Sequence, residues 1–156
     1  MEEIYTVTFA GHRDISEFRR VEERLYTVVK DLLREREYVV FWVGNDGEFD
    51  VLAQSVIRRA RRSMGEDTSE LNLALPYPKA GMDAMRASFS NVIIPDVLAG
   101  IHPKGAITER NRWMVDECDL LLCYVAHTGG AARMLQYAKK KGKRVINLYE
   151  LLQSDG

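Results

Sequence analysis

Residues 120–125 read Leu-Leu-Leu-Cys-Tyr-Val, an apolar run with no polar alternation, and residues 39–43 repeat the pattern as Val-Val-Phe-Trp-Val. A strand with one wet face alternates apolar and polar side chains, so a strand without alternation is buried on both faces. Such strands need helices above and below the sheet, and helical spacing lies between them. Phe18, Val21, Leu25, Val28, Val29, Leu32 and Leu33 form one stripe, and Phe49, Leu52, Ala53, Val56, Ile57 and Ala60 a second. Ile107, Asn111, Met114, Val115 and Cys118 mark a third, and Ala131, Met134, Leu135 and Ala138 a fourth. The alternation predicts an α/β fold, a doubly wound and mainly parallel sheet of about five strands with helices on both faces.

The five predicted strands are residues 4–9, 38–43, 71–75, 120–125 and 145–148. Pro76 and Pro78 end the third, because proline neither continues a helix nor pairs in a central strand. The stretch 79–104 is less regular. Met82, Met85 and Phe89 fit one side of a short helix there, and residues 91–94 have the composition of a short strand before Pro95. No linker, repeat or low-complexity segment interrupts the chain. Its 156 residues, 46% of them hydrophobic, suit one domain over 1–156 whose core needs neither disulfide nor metal.

Cys118 and Cys123 make no CxxC pair and have no ligand-spaced histidine nearby, so they read as small buried hydrophobes. A formal charge of −1 gives no general attraction to polyanions, which ranks nucleic acid below a small ligand as partner. The amino terminus lacks the basic start and apolar run of a signal peptide, and no apolar run reaches the length of a membrane span. The expected setting is the cytoplasm, with no membrane partner.

In a doubly wound sheet, ligands bind beyond the carboxyl ends of the strands, where the strand order reverses. The residues falling there are Gly11, His12 and Arg13 after the first strand, and Gly44, Asn45, Asp46 and Gly47 after the second. Pro76 and Tyr77 follow the third, and Thr128, Gly129 and Gly130 the fourth. Thr128 to Gly130 open a helix, and amides at a helix N-terminus attract an anion. Arg13 adds a planar fork suited to phosphate or carboxylate. The four loops together suit a nucleotide-like ligand, with no cofactor or metal called for.

Several of these residues also have plainer readings. His12 fits a turn residue bonded to the backbone better than a catalytic base, while His102 and His127 are loop residues without ligand spacing. Arg58, Arg59, Arg61 and Arg62 suit a solvated helix end whose dipole they complement, more than a nucleic-acid patch. Trp42 and Trp113 read as core or interface rather than base-stacking platforms. Asp50 is either a carboxylate at a helix N-terminus or a ribose ligand.

Four segments in order, Thr8-Phe9-Ala10-Gly11-His12-Arg13, the turn 44–50, Glu109-Arg110-Asn111-Arg112-Trp113-Met114-Val115-Asp116 and Thr128-Gly129-Gly130, resemble the YpsA-like branch of the SLOG superfamily. The resemblance implies a Rossmann-like fold that binds or senses nucleotides or nucleotide-derived ligands. It implies phosphate contacts from Gly129, Gly130, Thr128, Arg13 and Arg110, with Gly44, Asn45 and Asp50 facing sugar or base. Homo-oligomers are expected, with Trp113 available as an interface anchor.

Related LOG phosphoribohydrolases cleave an N-glycosidic bond with an arginine and a glutamate around a Gly-Gly-x-Gly-Thr turn. The Glu-Arg pair of that pattern matches Glu109 and Arg110, the catalytic candidates here. The acid falls at Gln136, and a neutral amide cannot stabilise an oxocarbenium-like state as a carboxylate does. The turn's Gly-Thr half is missing, replaced by Ala131-Ala132-Arg133. Hydrolysis of a nucleoside monophosphate is therefore the alternative to binding. Single-stranded DNA binding, as in the DNA-processing protein DprA of the same superfamily, ranks third and would require the Arg58 to Arg62 cluster.

Overall fold

The computed structural model describes residues 3–155. Within its sheet β5 (Leu120–Tyr124) is buried at every position, as its unbroken apolar run requires. Beside it lies β1 (Ile4–Gly11), followed outward by β2 (Tyr38–Val43), β3 (Ser69–Ala74) and β4 (Asn91–Ile93), while β6 (Arg144–Asn147) flanks β5 on the other side. The order is β4-β3-β2-β1-β5-β6, and all five pairings are parallel. The fold is α/β and Rossmann-like.

The helices are α1 (Phe18–Glu35), α2 (Glu48–Met64), α3 (Met82–Arg86), α4 (Pro103–Glu117), α5 (Gly130–Lys140) and α6 (Leu148–Asp155). One apolar cluster joins α1, α2 and α6 to the inward face of β1, β2 and β3 through Val21, Leu25, Val56, Ile57, Phe9, Phe41 and Leu73. A second lies under α4 and α5 and contains Met114, Val115, Met134, Leu135, Leu121 and Cys123. Both cysteines are buried and unpaired, and burial pushes their thiols up to about 11 and 12, which keeps them protonated and inert. Trp113 stacks edge-on against Trp42 within the same chain, ring centres 5.0 Å apart, at the margin of the second cluster.

Two elements correct the sequence reading. Among the described residues the sheet has six strands, the sixth being the short strand suggested at 91–94, which pairs with the edge of β3 over residues 91–93. Three residues ending before Pro95 carry little periodic signal, and it is the pairing that makes them a strand. The last strand ends at Asn147, and Leu148 begins a helix. Leu148 and Leu152, four apart on that helix, are buried against the first cluster. Among the described residues no helix is long and apolar enough to cross a membrane.

The direction of travel reverses between β1 and β5. From β1 the chain winds outward through β2, β3 and β4, then returns to lay β5 on the opposite side of β1. The loops leaving β1 and β5 therefore diverge to opposite faces and leave a crevice between them.

Candidate functional site

A cavity of about 340 Å³ occupies that crevice, within the range of small-molecule pockets. Its floor is apolar, made by Phe9, Ala10, Ile107, Met114 and Met134. One wall is the loop from His127 to Ala131 that opens α5. Gly129, the residue before that helix, has φ of 141°, a backbone conformation that side chains rarely adopt, so a glycine is needed there for the turn itself. No side chain caps α5, and its first amides have no intrahelical acceptor. Among the described residues no carbonyl or side chain outside the helix takes them.

His12 holds this wall in place. It is buried, and its Nε2 accepts the amide of Ala126 at 2.9 Å and that of His127 at 3.4 Å. Its ring stacks on His127 with centroids 3.7 Å apart. Burial, and secondarily the neighbouring His127, lower the His12 pKa. That suits a ring nitrogen whose task is to accept amide protons, since a protonated imidazole has no acceptor. His127 thus lines the cavity and braces His12, a role that its isolated place in the sequence did not signal.

The opposite wall carries carboxylates. Asp50 Oδ2 accepts the Asp46 amide at 2.9 Å, and Asp50 also lines the cavity. Burial is the largest influence on Asp50. The Asp46 amide opposes it and the Asp46 charge adds to it, and the carboxyl is raised to about 6. Asp14 and Asp46 also line the cavity.

Among the described residues Arg110 is the largest of the fully buried side chains, 1% exposed. Its guanidinium donates to the Ala74 carbonyl at 2.9 Å, to Asn111 Oδ1 at 2.9 Å and to Asp46 in an ion pair. It ties α4 to the end of β3 and to the turn after β2. Although Arg110 borders the cavity, its donors are engaged within the protein. Arg13 differs: it is exposed on the rim and, among the described residues, has no ion pair or side-chain hydrogen bond.

The glycines of the other loops serve packing. A Cβ on Gly11 would overlap the Phe49 ring, and one on Gly47 would lie 2.7 Å from the Arg13 Cα. This closeness lets the loop after β1 close the start of α2, where Glu48 N donates to the Arg13 carbonyl at 3.0 Å and Phe49 N to that of His12 at 3.4 Å. Gly44 and Asn45 do not line the cavity: the Gly44 carbonyl accepts from Gln54 Nε2 at 2.9 Å, and Asn45 is exposed.

Glu109 also lies outside, paired with Arg112 at 3.1 Å, and Gln136 is exposed on α5 away from the cavity. The crevice therefore brings together Gly11, His12, Arg13, Asp46, Asp50, Arg110, Thr128, Gly129 and Gly130. Asn111, whose oxygen holds the Arg110 guanidinium, joins them unpredicted.

No family model and no curated protein matches this sequence. Among solved structures it is similar to the single-stranded DNA-binding DNA processing protein A of Helicobacter pylori, with a TM-score of 0.62 and 16% identity over 97% of this chain and 73% of that one. It is also similar to the molybdenum cofactor carrier protein of Chlamydomonas reinhardtii, with a TM-score of 0.58 and 14% identity over 92% of this chain and 75% of that one. Likeness at this identity establishes a common fold.

The arginine cluster on α2 is largely occupied. Arg58 donates to the Ser88 carbonyl at 2.9 Å and lies over Phe89. Arg59 pairs with Glu22 and covers Tyr26, while Arg61 binds Ser69 Oγ at 2.8 Å and the Ser69 carbonyl at 3.0 Å. These guanidiniums fasten α2 to its neighbours.

Proposed function

We propose that this protein binds a small nucleotide or nucleotide derivative in the crevice between β1 and β5, as a member of the SLOG superfamily close to its YpsA-like branch. The observation that carries this reading is the pairing of unlike walls in one cavity. The uncapped amides of α5 suit a phosphate, while Asp46 and Asp50 across the apolar floor suit the hydroxyl donors of a sugar, and Arg13 on the rim beside Gly47 and Asp50 adds a positive charge to the mouth of the cavity. A nucleoside phosphate presents an anion, an apolar ring and hydroxyls in one molecule. The site needs no cofactor for this, and the protein acts as a binding or sensing module, self-associated and cytoplasmic.

Calorimetry against nucleoside mono- and diphosphates, cyclic nucleotides and ADP-ribose derivatives tests the reading. We expect saturable binding that Gly129→Asp weakens more than about tenfold, by placing a like charge at the phosphate position. Absence of heat across the panel, or an unaffected Gly129→Asp variant, rejects it. A salt series separates small-ligand binding from DNA binding, since affinity for a polyanion falls steeply as salt rises.

Hydrolysis of an N-glycosidic bond is the second reading, and Asp50 favours it. A cavity-facing carboxyl raised to about 6 suits proton transfer near neutrality. With Gln136 and Glu109 outside the cavity, Asp46 and Asp50 would have to supply the carboxylate chemistry. Chromatographic detection of free base from a nucleoside monophosphate, lost in Asp50→Asn, supports it, and intact substrate after prolonged incubation rejects it.

A further inference from the structure

A groove of about 160 Å³ runs between α4 and α5 and continues the crevice, with which it shares Ile107, Asn111, Gly130 and Met134. Its polar lining is Thr108, Asn111, Arg112, Arg133 and Tyr137, without a carboxylate. Arg133 stands one helical turn after Gly130, and its side chain runs back toward the helix start, as helical side chains do. Its Nη2 lies 3.9 Å from where a Cβ on Gly130 would be. Among the described residues the Arg133 guanidinium has neither an ion pair nor a hydrogen bond, although Arg112 nearby is paired with Glu109 and packs on Tyr137. A free guanidinium thus sits at the junction of groove and crevice, directly beside the amides that suit a first phosphate.

We infer that Arg133 and the α4–α5 groove form a second anion subsite, so that the preferred ligand carries a second phosphoryl group adjacent to the one at Gly129 and Gly130. This rests on the nucleotide-binding reading and narrows it from monophosphates to diphosphate-bearing nucleotides. A phosphoryl group lying over Gly130 would take charge-assisted hydrogen bonds from a planar fork, and Gly130, lacking a Cβ, leaves room for it. Arg133 is therefore a specificity-determining residue that acts on the second charge and not on the first.

Matched pairs test this: AMP against ADP and GMP against GDP, titrated by calorimetry into the full chain and into Arg133→Gln. Diphosphates are expected to bind about tenfold more tightly than their monophosphates, and Arg133→Gln to abolish that gain while leaving monophosphate affinity within about twofold. Equal affinity within both pairs in the unaltered protein overturns the inference and leaves the nucleotide reading standing. So does an equal loss for mono- and diphosphates in the variant, which would make Arg133 a general electrostatic contributor. If none of the four nucleotides binds, the subsite fails together with the reading beneath it. Arg133 is exposed and unpaired, so the substitution does not threaten the fold, and a melting curve of the variant superimposable on that of the parent verifies this.

Discussion

α2 and α5 begin alike. Each follows a buried strand through a glycine-bearing turn, and neither has a side-chain cap. At α2 the first amides are taken by the carbonyls of Arg13 and His12, so this helix start is sealed by the protein's own backbone. At α5 the start faces the cavity. The same loop after β1 decides both outcomes: its main chain closes one helix, and its His12 side chain props open the turn of the other. A glycine-rich strand-to-helix turn is thus a structural joint where another chain segment fits against it, and stays open where none does.

That contrast can be broken or sharpened by substitution. The largest effect is expected at Arg110, which anchors the sealed side. Arg110→Ala leaves the Ala74 carbonyl without its donor and Asp46 with only the longer Lys79 pair at 3.8 Å, and should cost about 3–5 kcal/mol in urea unfolding. A variant of unchanged stability would mean that Arg110 is instead a free ligand contact. Gly47→Ala comes next, because its Cβ meets backbone at the joint itself, where neither partner can yield. A loss of about 2–3 kcal/mol is expected.

Asp50→Asn should have the opposite sign. A carboxyl raised from 3.8 to about 6 favours folding when protonated, and that contribution is lost as pH climbs through about 6. The amide retains the acceptor for Asp46 N, so at pH 7.5 the variant should be more stable by about 1–2 kcal/mol, and below pH 4 the difference should vanish.

His12 titrates the open end. Its pKa is lowered from 6.5, so its contribution to folding is complete above pH 6.5 and drains away as pH falls through the lowered value. In the Asp50→Asn background, thermal melts from pH 7.5 to 5 should show this decline without the opposing carboxylate. A flat profile would release His12 from its role as acceptor. The smallest effect is expected at Gly130→Ala, where the Cβ makes only ordinary contact at 3.9 Å with a flexible arginine. Stability should hold within about 0.5 kcal/mol. A large loss there would erase the difference between the two helix starts.

Much of the architecture is legible in the chain. Residues 120–124 are buried throughout as their lack of alternation predicts, whereas in 39–43 Val40 and Trp42 are only half-buried, and the four helical stripes lie in α1, α2, α4 and α5. β4 is visible only as the composition of a short strand at 91–94, because a three-residue edge strand draws its identity from pairing with β3. Burial of Arg110 had a signal in sequence: it shares a helix face with Ile107, Asn111 and Met114 at three- and four-residue spacing. Charge alone argued against it, and the partner that allows it, Asp46, stands 64 residues earlier.

Local order in this molecule follows from side-chain periodicity, because a strand or helix must turn its apolar residues inward wherever it ends up. Sequence therefore determined the succession of strands and helices, the edge of the sheet where loops gather, and the glycine-dependent turn at Gly129. Only the tertiary structure decided which of two similar helix starts stays open and which arginines remain unpaired. Those outcomes depend on contacts such as His12 with Ala126, 114 residues apart, and Gly47 with Arg13, 34 positions apart, and no local pattern encodes the meeting of two distant loops.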